Sequence, residues 1–352
     1  MFGRKKSSLL GIDISSSVVK VLELNHINEK YRVESYAVEP LPLNAVVEGR
    51  IDNVSEVAGA IKRAVKRSGT KAKDAAVAVS ANSAITKIVS FPASLSEREM
   101  EEQIMLEADT YIPYPLEEVR LDFEVVGTSS ADAEAVDVLL AASRSENVDI
   151  RTSVLEEAGL KPKLVDVEAY TIENSFSLIT QQMPNQGQGL TVAVFDVGSA
   201  VTTLHVLVDG KIVFTREQAF GGRMLTEDIE RHYGMSYQEA GRAKKTSNLP
   251  EDYNEKVLEP FKRTMATTIT RALQFFFSAS TQYQSIDYII LAGGCASIAG
   301  VDAMIEEDTG TPTSIANPFS NMILGPNIKI QALSNDAPSM LIACGLAMRS
   351  FD

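Results

Sequence analysis

Leu9-Leu10-Gly11-Ile12-Asp13-Ile14-Ser15-Ser16-Ser17-Val18-Val19-Lys20-Val21-Leu22-Glu23-Leu24 is an apolar β-type run that ends in an Asp, turns on small hydroxyl residues and resumes as a second β-type run. Thr191-Val192-Ala193-Val194-Phe195-Asp196-Val197-Gly198-Ser199-Ala200-Val201-Thr202-Thr203-Leu204-His205-Val206-Leu207-Val208 repeats the plan in the second half of the chain. A hairpin of this kind presents backbone N–H groups and hydroxyls at its tip, where they hold phosphate oxygens. The Asp beside them suits a hydrated Mg²⁺. Two copies point to a duplicated α/β fold that closes on a nucleotide from both sides.

Around these hairpins the pattern divides the chain. Strands at 8–24 and 30–38 precede a helix from Val54 to Arg67, apolar at 54, 57, 58, 61, 64 and 65 and stopped by Ser68-Gly69. Residues 83–162 change character and read as a small unit of sheet with two helices. Its first helix opens at Ser94 or Ser96 and ends at Pro113 and Pro115; its second runs from Glu146 to Ala158. A polar stretch at 181–189 separates the halves. Strands at 190–197, 200–208 and 211–219 then lead to Gly221-Gly222, and a long helix is expected from Glu255 to about Tyr283. The expected domains are 1–82 with 163–182 and 331–352, an insertion at 83–162, a second core of 183–222 with 285–330, and a helix-rich subdomain at 223–284.

Composition narrows the function. A net charge of −14 over 352 residues argues against general nucleic-acid binding and against attraction to anionic lipid. Cys295 and Cys344 lie in apolar segments and read as buried thiols of a reduced, cytoplasmic protein. His26, His205 and His232 are too scattered for a zinc cluster. Arg4-Lys5-Lys6 leads into a β-patterned run rather than an apolar signal core, and no run reaches the length of a membrane span, so any membrane location is expected to come through a partner.

Five blocks in order resemble the actin-like ATPase superfamily. They are Gly11–Ser17, Asp166-Val167-Glu168-Ala169, Phe195–Ser199, Leu291-Ala292-Gly293-Gly294-Cys295-Ala296-Ser297-Ile298-Ala299-Gly300, and Ala343–Ala347. The resemblance implies two duplicated β-β-β-α domains around a nucleotide cleft, with the 83–162 insertion placed like the small extra subdomain of FtsA. Gln103-Ile104-Met105-Leu106-Glu107-Ala108-Asp109-Thr110-Tyr111-Ile112-Pro113-Tyr114-Pro115, Asp122-Phe123-Glu124 and Glu239–Lys245 resemble the PilM family of type IV pilus assembly proteins. That family implies a cytoplasmic scaffold for pilus biogenesis and twitching motility. Its implied partners are the cytoplasmic amino-terminal peptide of PilN and the motor ATPases, with self-association open. A small-molecule kinase of the same superfamily is the alternative. A filament tethered directly to membrane is disfavoured by the carboxyl end Met348–Asp352, which carries no amphipathic helix.

The resemblance assigns ATP and Mg²⁺. Asp13 and Asp196 would hold the metal or its waters, and Ser15, Ser16, Ser17, Gly198 and Ser199 the phosphates. Gly293, Gly294, Ser297 and Lys244 would border the adenosine. Gly241 stands where relatives carry an acidic residue three positions before the lysine, which leaves Glu239 as its substitute for the ribose. Glu168 matches the position that orients an attacking water, and slow hydrolysis is expected. Tyr111, Ile112, Pro113, Tyr114 and Pro115 form an aromatic-proline stretch expected to meet the partner peptide. Phe275-Phe276-Phe277 is expected to be core and interdomain packing.

Overall fold

The computed structural model describes residues 8–129, 131–246, 248–280 and 282–352; the basic stretch Arg4-Lys5-Lys6 lies outside them. The first sheet begins with β1 (Leu10–Ile14), β2 (Val18–Ile27) and β3 (Lys30–Pro40). The short pair β4 (Val46–Val47) and β5 (Arg50–Ile51) leads to α1 (Val54–Ser68) and β6 (Asp74–Val79). Asn53 caps α1 by accepting from the Glu56 N–H, and Gly69 ends it in the left-handed region at φ 74°. Its inner face, Val57, Ala58, Ile61 and Ala64, is fully buried on the sheet, each large side chain contributing about 1.5–3 kcal/mol.

The inserted unit contains β7 (Ala84–Pro92), α2 (Glu97–Tyr111), β8 (Val119–Thr128) and β9 (Ala135–Arg144). Its strands form an antiparallel sheet in the order β7-β9-β8, and α2 packs on it through Met100, Ile104 and Ala108. Ser96 and Glu99 make the capping box that starts α2. Then come α3 (Ser145–Glu157), β10 (Lys161–Val167) and α4 (Glu168–Phe176).

The second half runs β11 (Thr191–Val197), β12 (Thr202–Val208), β13 (Lys211–Gln218), α5 (Gly222–Tyr233), α6 (Tyr237–Thr246) and α7 (Glu259–Ala279). It continues with β14 (Tyr288–Ala292), α8 (Val301–Thr309), β15 (Thr313–Ile315), β16 (Ile323–Leu324), α9 (Ile330–Asp336) and α10 (Leu341–Met348). The helix expected from Glu255 to Tyr283 is thus shorter, preceded by a π-turn at Asn254–Leu258 that Pro260 does not interrupt, and closed at Ser280.

The two sheets have one topology. The first is ordered β10-β6-β1-β2-β3-β16 and the second β13-β12-β11-β14-β15. In each, three strands run as antiparallel neighbours and two more join parallel to the first strand, β6 and β10 in one, β14 and β15 in the other. This correspondence corrects the expected insertion boundary. Helix α3 is the crossover from β6 to β10, as α8 is from β14 to β15, and Val154, Leu155 and Leu160 lie in the first domain's core. By packing, the inserted unit is 84–144 rather than 83–162. Ile323–Leu324, expected with the second domain, instead pairs with Arg32 and Val33 at the edge of the first sheet.

Helices α4 and α10 cross between the sheets. A Cβ on Gly345 would lie 2.0 Å from the Thr171 carbonyl oxygen, and one on Gly11 would lie 2.3 Å from that of Ala343, so neither position admits a side chain. Asn174 donates to the Gly345 carbonyl (3.0 Å), while Glu173 accepts from Lys211 (2.7 Å) and the Ile212 N–H (2.9 Å), so α4 is held by both domains. Phe276 is core, as expected. Phe275 is 44% exposed with the Arg216 guanidinium over its ring, and its aromatic neighbour Phe214 belongs to the same domain, so that run is not interdomain packing.

Candidate functional site

The two hairpin tips have the same backbone geometry. In the first, the N–H of Ser15 donates to the Val18 carbonyl (3.1 Å); in the second, the N–H of Gly198 donates to the Val201 carbonyl (3.0 Å). Each closing residue stands two positions after its aspartate. Strand alternation puts Asp13 on the face of β1 that Gly11 turns toward α10. Asp196 shares its face of β11 with Val192 and Val194, which pack against α4 and α10. Both carboxylates therefore lie over the crossing helices, at the floor of a cleft between the sheets.

Asp13 is 3% exposed and accepts from Lys20 Nζ at 2.7 Å, its cross-strand neighbour on β2. Burial works to lower the Lys20 pKa, but Asp13, Asp196 and Glu168 together outweigh it and hold the ammonium above its ordinary value. Asp196 is pushed up to about 6 by burial, with Lys20 opposing and Asp13 adding. Glu168, the first residue of α4, is pushed up to about 8 by burial and then by Asp13, with Arg151 pulling the other way. Arg151 is itself buried, donating to the carbonyls of Ala78 (2.7 Å), Gly49 (2.8 Å) and Asn147 (3.2 Å). Glu217 on β13 meets Asn82 from the turn before β7, across the cleft mouth. Lys20, Arg151 and Glu217 are the site residues that sequence reasoning missed.

The remaining candidates divide by what their polar groups already do. Ser15 is committed: its hydroxyl, like its N–H, donates to the Val18 carbonyl (3.0 Å). Ser16, Ser17 and Ser199 have amides and hydroxyls without donor contacts among the described residues. Gly198 accepts from the Gly222 N–H (3.0 Å) and Ser199 accepts from the Arg223 N–H (2.7 Å), which pins this loop to the start of α5. Two buried donors near that junction, Nε2 of Gln218 and Nε of Arg223, have no partner among the described residues. Gly293 lies at φ 84°, and a Cβ there would stand 2.4 Å from Asp196 Oδ1, so β14 can end against the aspartate only with glycine.

Gly294 faces open space, whereas Ser297 spends its hydroxyl on the Asn335 carbonyl (3.4 Å). Lys244 Nζ donates to Thr226 Oγ1 (2.6 Å) and the Gly222 carbonyl (3.0 Å), beside Cys295, and burial lowers its pKa. Glu239 does not stand in for the ribose ligand absent at Gly241. It accepts from the Ser236 N–H (2.8 Å) and hydroxyl (2.6 Å) as the exposed cap of α6. In the aromatic-proline stretch, Ile112 is buried core and is withdrawn from any direct partner contact. Tyr111 donates to Glu107 (3.0 Å), Tyr114 lies under the Arg144 guanidinium (4.3 Å), and Pro113 and Pro115 are exposed.

These residues fit a nucleotide: free amides at both tips, a buried cation between them, donors at the end of β13 and the start of α5 that are unpartnered among the described residues, and a glycine-only approach at Gly293. They do not form a directly ligated metal centre, since among the described residues no three carboxylate, His or Cys side chains converge. A divalent ion fits only through phosphate oxygens and water at Asp13 and Asp196. Among the described residues no helix is long and apolar enough to cross a membrane.

Comparison with known proteins follows the same architecture. A family model described as type IV pilus assembly protein PilM matches residues 11–351. The chain is similar to a chain of the PilM–PilN type IV pilus biogenesis complex, at 25% identity and TM-score 0.80, covering 99% of this chain and 100% of that one. It also resembles the ethanolamine utilization protein EutJ from Carboxydothermus hydrogenoformans, at 14% identity and TM-score 0.56, over 97% of this chain and 89% of that one. The second likeness speaks to the fold alone.

Proposed function

The chain belongs to the PilM family of type IV pilus assembly proteins, and we propose that it serves there as a nucleotide-binding scaffold held at the membrane by PilN. The fold is that of the actin-like ATPases, and the family role is pilus assembly. The kinase alternative gains nothing from the match. The observation that carries nucleotide binding is the repeat of one loop geometry on two sheets, with Asp13, Lys20 and Asp196 between the tips.

The amides of Ser16, Ser17 and Ser199 would take phosphate oxygens, with Asp13 and Asp196 holding waters of a Mg²⁺ ion. Gly293, Gly294 and Lys244 border the side on which adenosine would lie. A bound nucleotide would supply negative charge and a metal ion its counter-charge; the chain would supply fixed donors and, in Lys20, a cation for the phosphates. Glu168 remains the candidate for orienting water. In the free cleft, burial and the neighbouring Asp13 hold its carboxyl well above the usual carboxylate range, at about 8.

The PilM–PilN structure supports PilN as the partner. The proposed contact is PilN's cytoplasmic amino-terminal segment against the inserted unit, beside Pro113, Tyr114 and Pro115. This would place the protein at the inner membrane through PilN, in reach of the motor ATPases, for pilus biogenesis and twitching motility. Titration calorimetry with a synthetic PilN amino-terminal peptide tests this. Saturable binding is expected, weakened several-fold by Tyr114→Ala; no heat with or without Mg·ATP would remove the proposed partner.

A further inference from the structure

The first sheet leaves one edge largely uncovered. Strand β16 pairs with β3 only at Arg32 and Val33, where the Gly325 N–H donates to the Val33 carbonyl (2.9 Å). Among the described residues no strand accompanies β3 beyond that point on this side. A trough of about 950 Å³ runs there instead, lined by β3 from Glu34 to Val38, by Glu23 to Asn25 of β2, by the end of α1 and the turn after it from Arg67 to Lys71, and by 327–329 with Ala332 and Asp336. Arg67 donates to the Val38 carbonyl, so a side chain stands where a neighbouring strand's N–H would.

The trough itself sets Arg67, Lys71 and Lys329 against Glu23, Glu34 and Asp336, and the excess of positive charge lies on its flank. The chain carries −14, yet residues 62–73 hold Lys62, Arg63, Lys66, Arg67, Lys71 and Lys73 with no acidic residue. Arg63 and Arg67 both pair with Glu39 (2.8 and 3.1 Å). Lys62, Lys66, Lys71 and Lys329 are exposed and without an ion pair among the described residues. Glu23 and Glu34 inside the trough already accept hydrogen bonds within the chain. Glu23 accepts from the hydroxyls of Ser8 (2.6 Å), Thr70 (2.6 Å) and Ser35 (3.1 Å), and Glu34 accepts from Asn25 (3.3 Å). Asp336 is held above the usual carboxylate range by burial, with Lys20 and Arg67 opposing.

We propose that the β3 edge receives an extended acidic segment of a partner protein as an added strand. The segment's backbone would pair beyond Val33, and its carboxylates would meet Lys71, Lys329 and the exposed lysines of α1. A concave strand edge favours a chain over a lipid surface, which cannot reach it. This surface lies on β3, at the opposite end of the sheet from the β6–β10 pair next to which the inserted unit is spliced, and is independent of the PilN contact.

Fluorescence anisotropy of the full chain with a labelled peptide of alternating valine and glutamate tests the proposal. Saturable binding is expected, with slowed amide exchange at residues 34–38. Affinity should fall by about tenfold or more for the valine–lysine peptide, for the same peptide N-methylated at alternate residues, and for the surface double variant Lys71→Glu/Lys329→Glu. Absence of binding, equal affinity for the N-methylated peptide, or binding only to phosphatidylglycerol vesicles would overturn it.

Discussion

Replacing Lys20 with Met should lower the stability of the nucleotide-free protein by about 3 kcal/mol and weaken Mg·ATP binding by about tenfold or more. The pair it forms with Asp13 is buried on both sides, with the lysine side chain 9% exposed and the carboxylate 3%. Taking the ammonium away leaves a buried carboxylate without a counter-charge, and that penalty exceeds the modest net value of an intact pair. The double variant Lys20→Met/Asp13→Asn should therefore recover most of the lost stability while remaining defective in nucleotide binding. Urea unfolding of the two variants reads the first effect and calorimetry the second. A stable Lys20→Met protein, or a double variant no better than the single, would mean that the pair is not the counter-charge of the empty cleft.

The second large effect is a pH dependence set by Glu168. Its pKa is raised from the ordinary 4.5 to about 8, so in the native protein it binds a proton that the unfolded chain has released. Between those values the native state holds more protons, and stability falls as pH rises, at up to about 1.4 kcal/mol per pH unit while the difference is a full proton. The contribution is present at low pH and is exhausted above the folded value. Asp196, raised to about 6, adds a loss of the same sign at lower pH. Melting temperatures between pH 6 and pH 9 should therefore decline in the wild type. They should decline much less in Glu168→Gln, which should also be the more stable of the two at the alkaline end. Parallel curves for the two proteins would show that Glu168 is not held in its neutral form.

The duplicated frame was legible because it rests on local signals. Each Asp-ended strand, small-residue turn and second strand lies within a short stretch, and the pair recurs, so the position of Asp13 and Asp196 near the ends of their strands was legible. Lys20 left a signal that was passed over: a lone charge inside the apolar run Val18-Val19-Lys20-Val21-Leu22, at the register position that faces Asp13. Arg151 and Glu217 left none, because their partners at Ala78, Gly49 and Asn82 are set by tertiary packing. The same limit applies to α3. Gly159 marks the end of a helix at 146–158, but only the β6–α3–β10 crossover shows which sheet that helix covers. Glu239 misled for a related reason, since Ser236-x-x-Glu239 is a capping signal that outweighs its closeness to Lys244.

In the proposed function two copies of one hairpin close on a nucleotide, with a metal ion held through water at Asp13 and Asp196. Titration calorimetry with ATP, in the presence and absence of Mg²⁺, on the wild type, Asp13→Ala and Asp196→Ala measures it most directly. Mg²⁺-dependent binding of one nucleotide per chain in the wild type, reduced by about tenfold or more in either variant, is the predicted result. Nucleotide affinity that neither aspartate nor Mg²⁺ alters would contradict it.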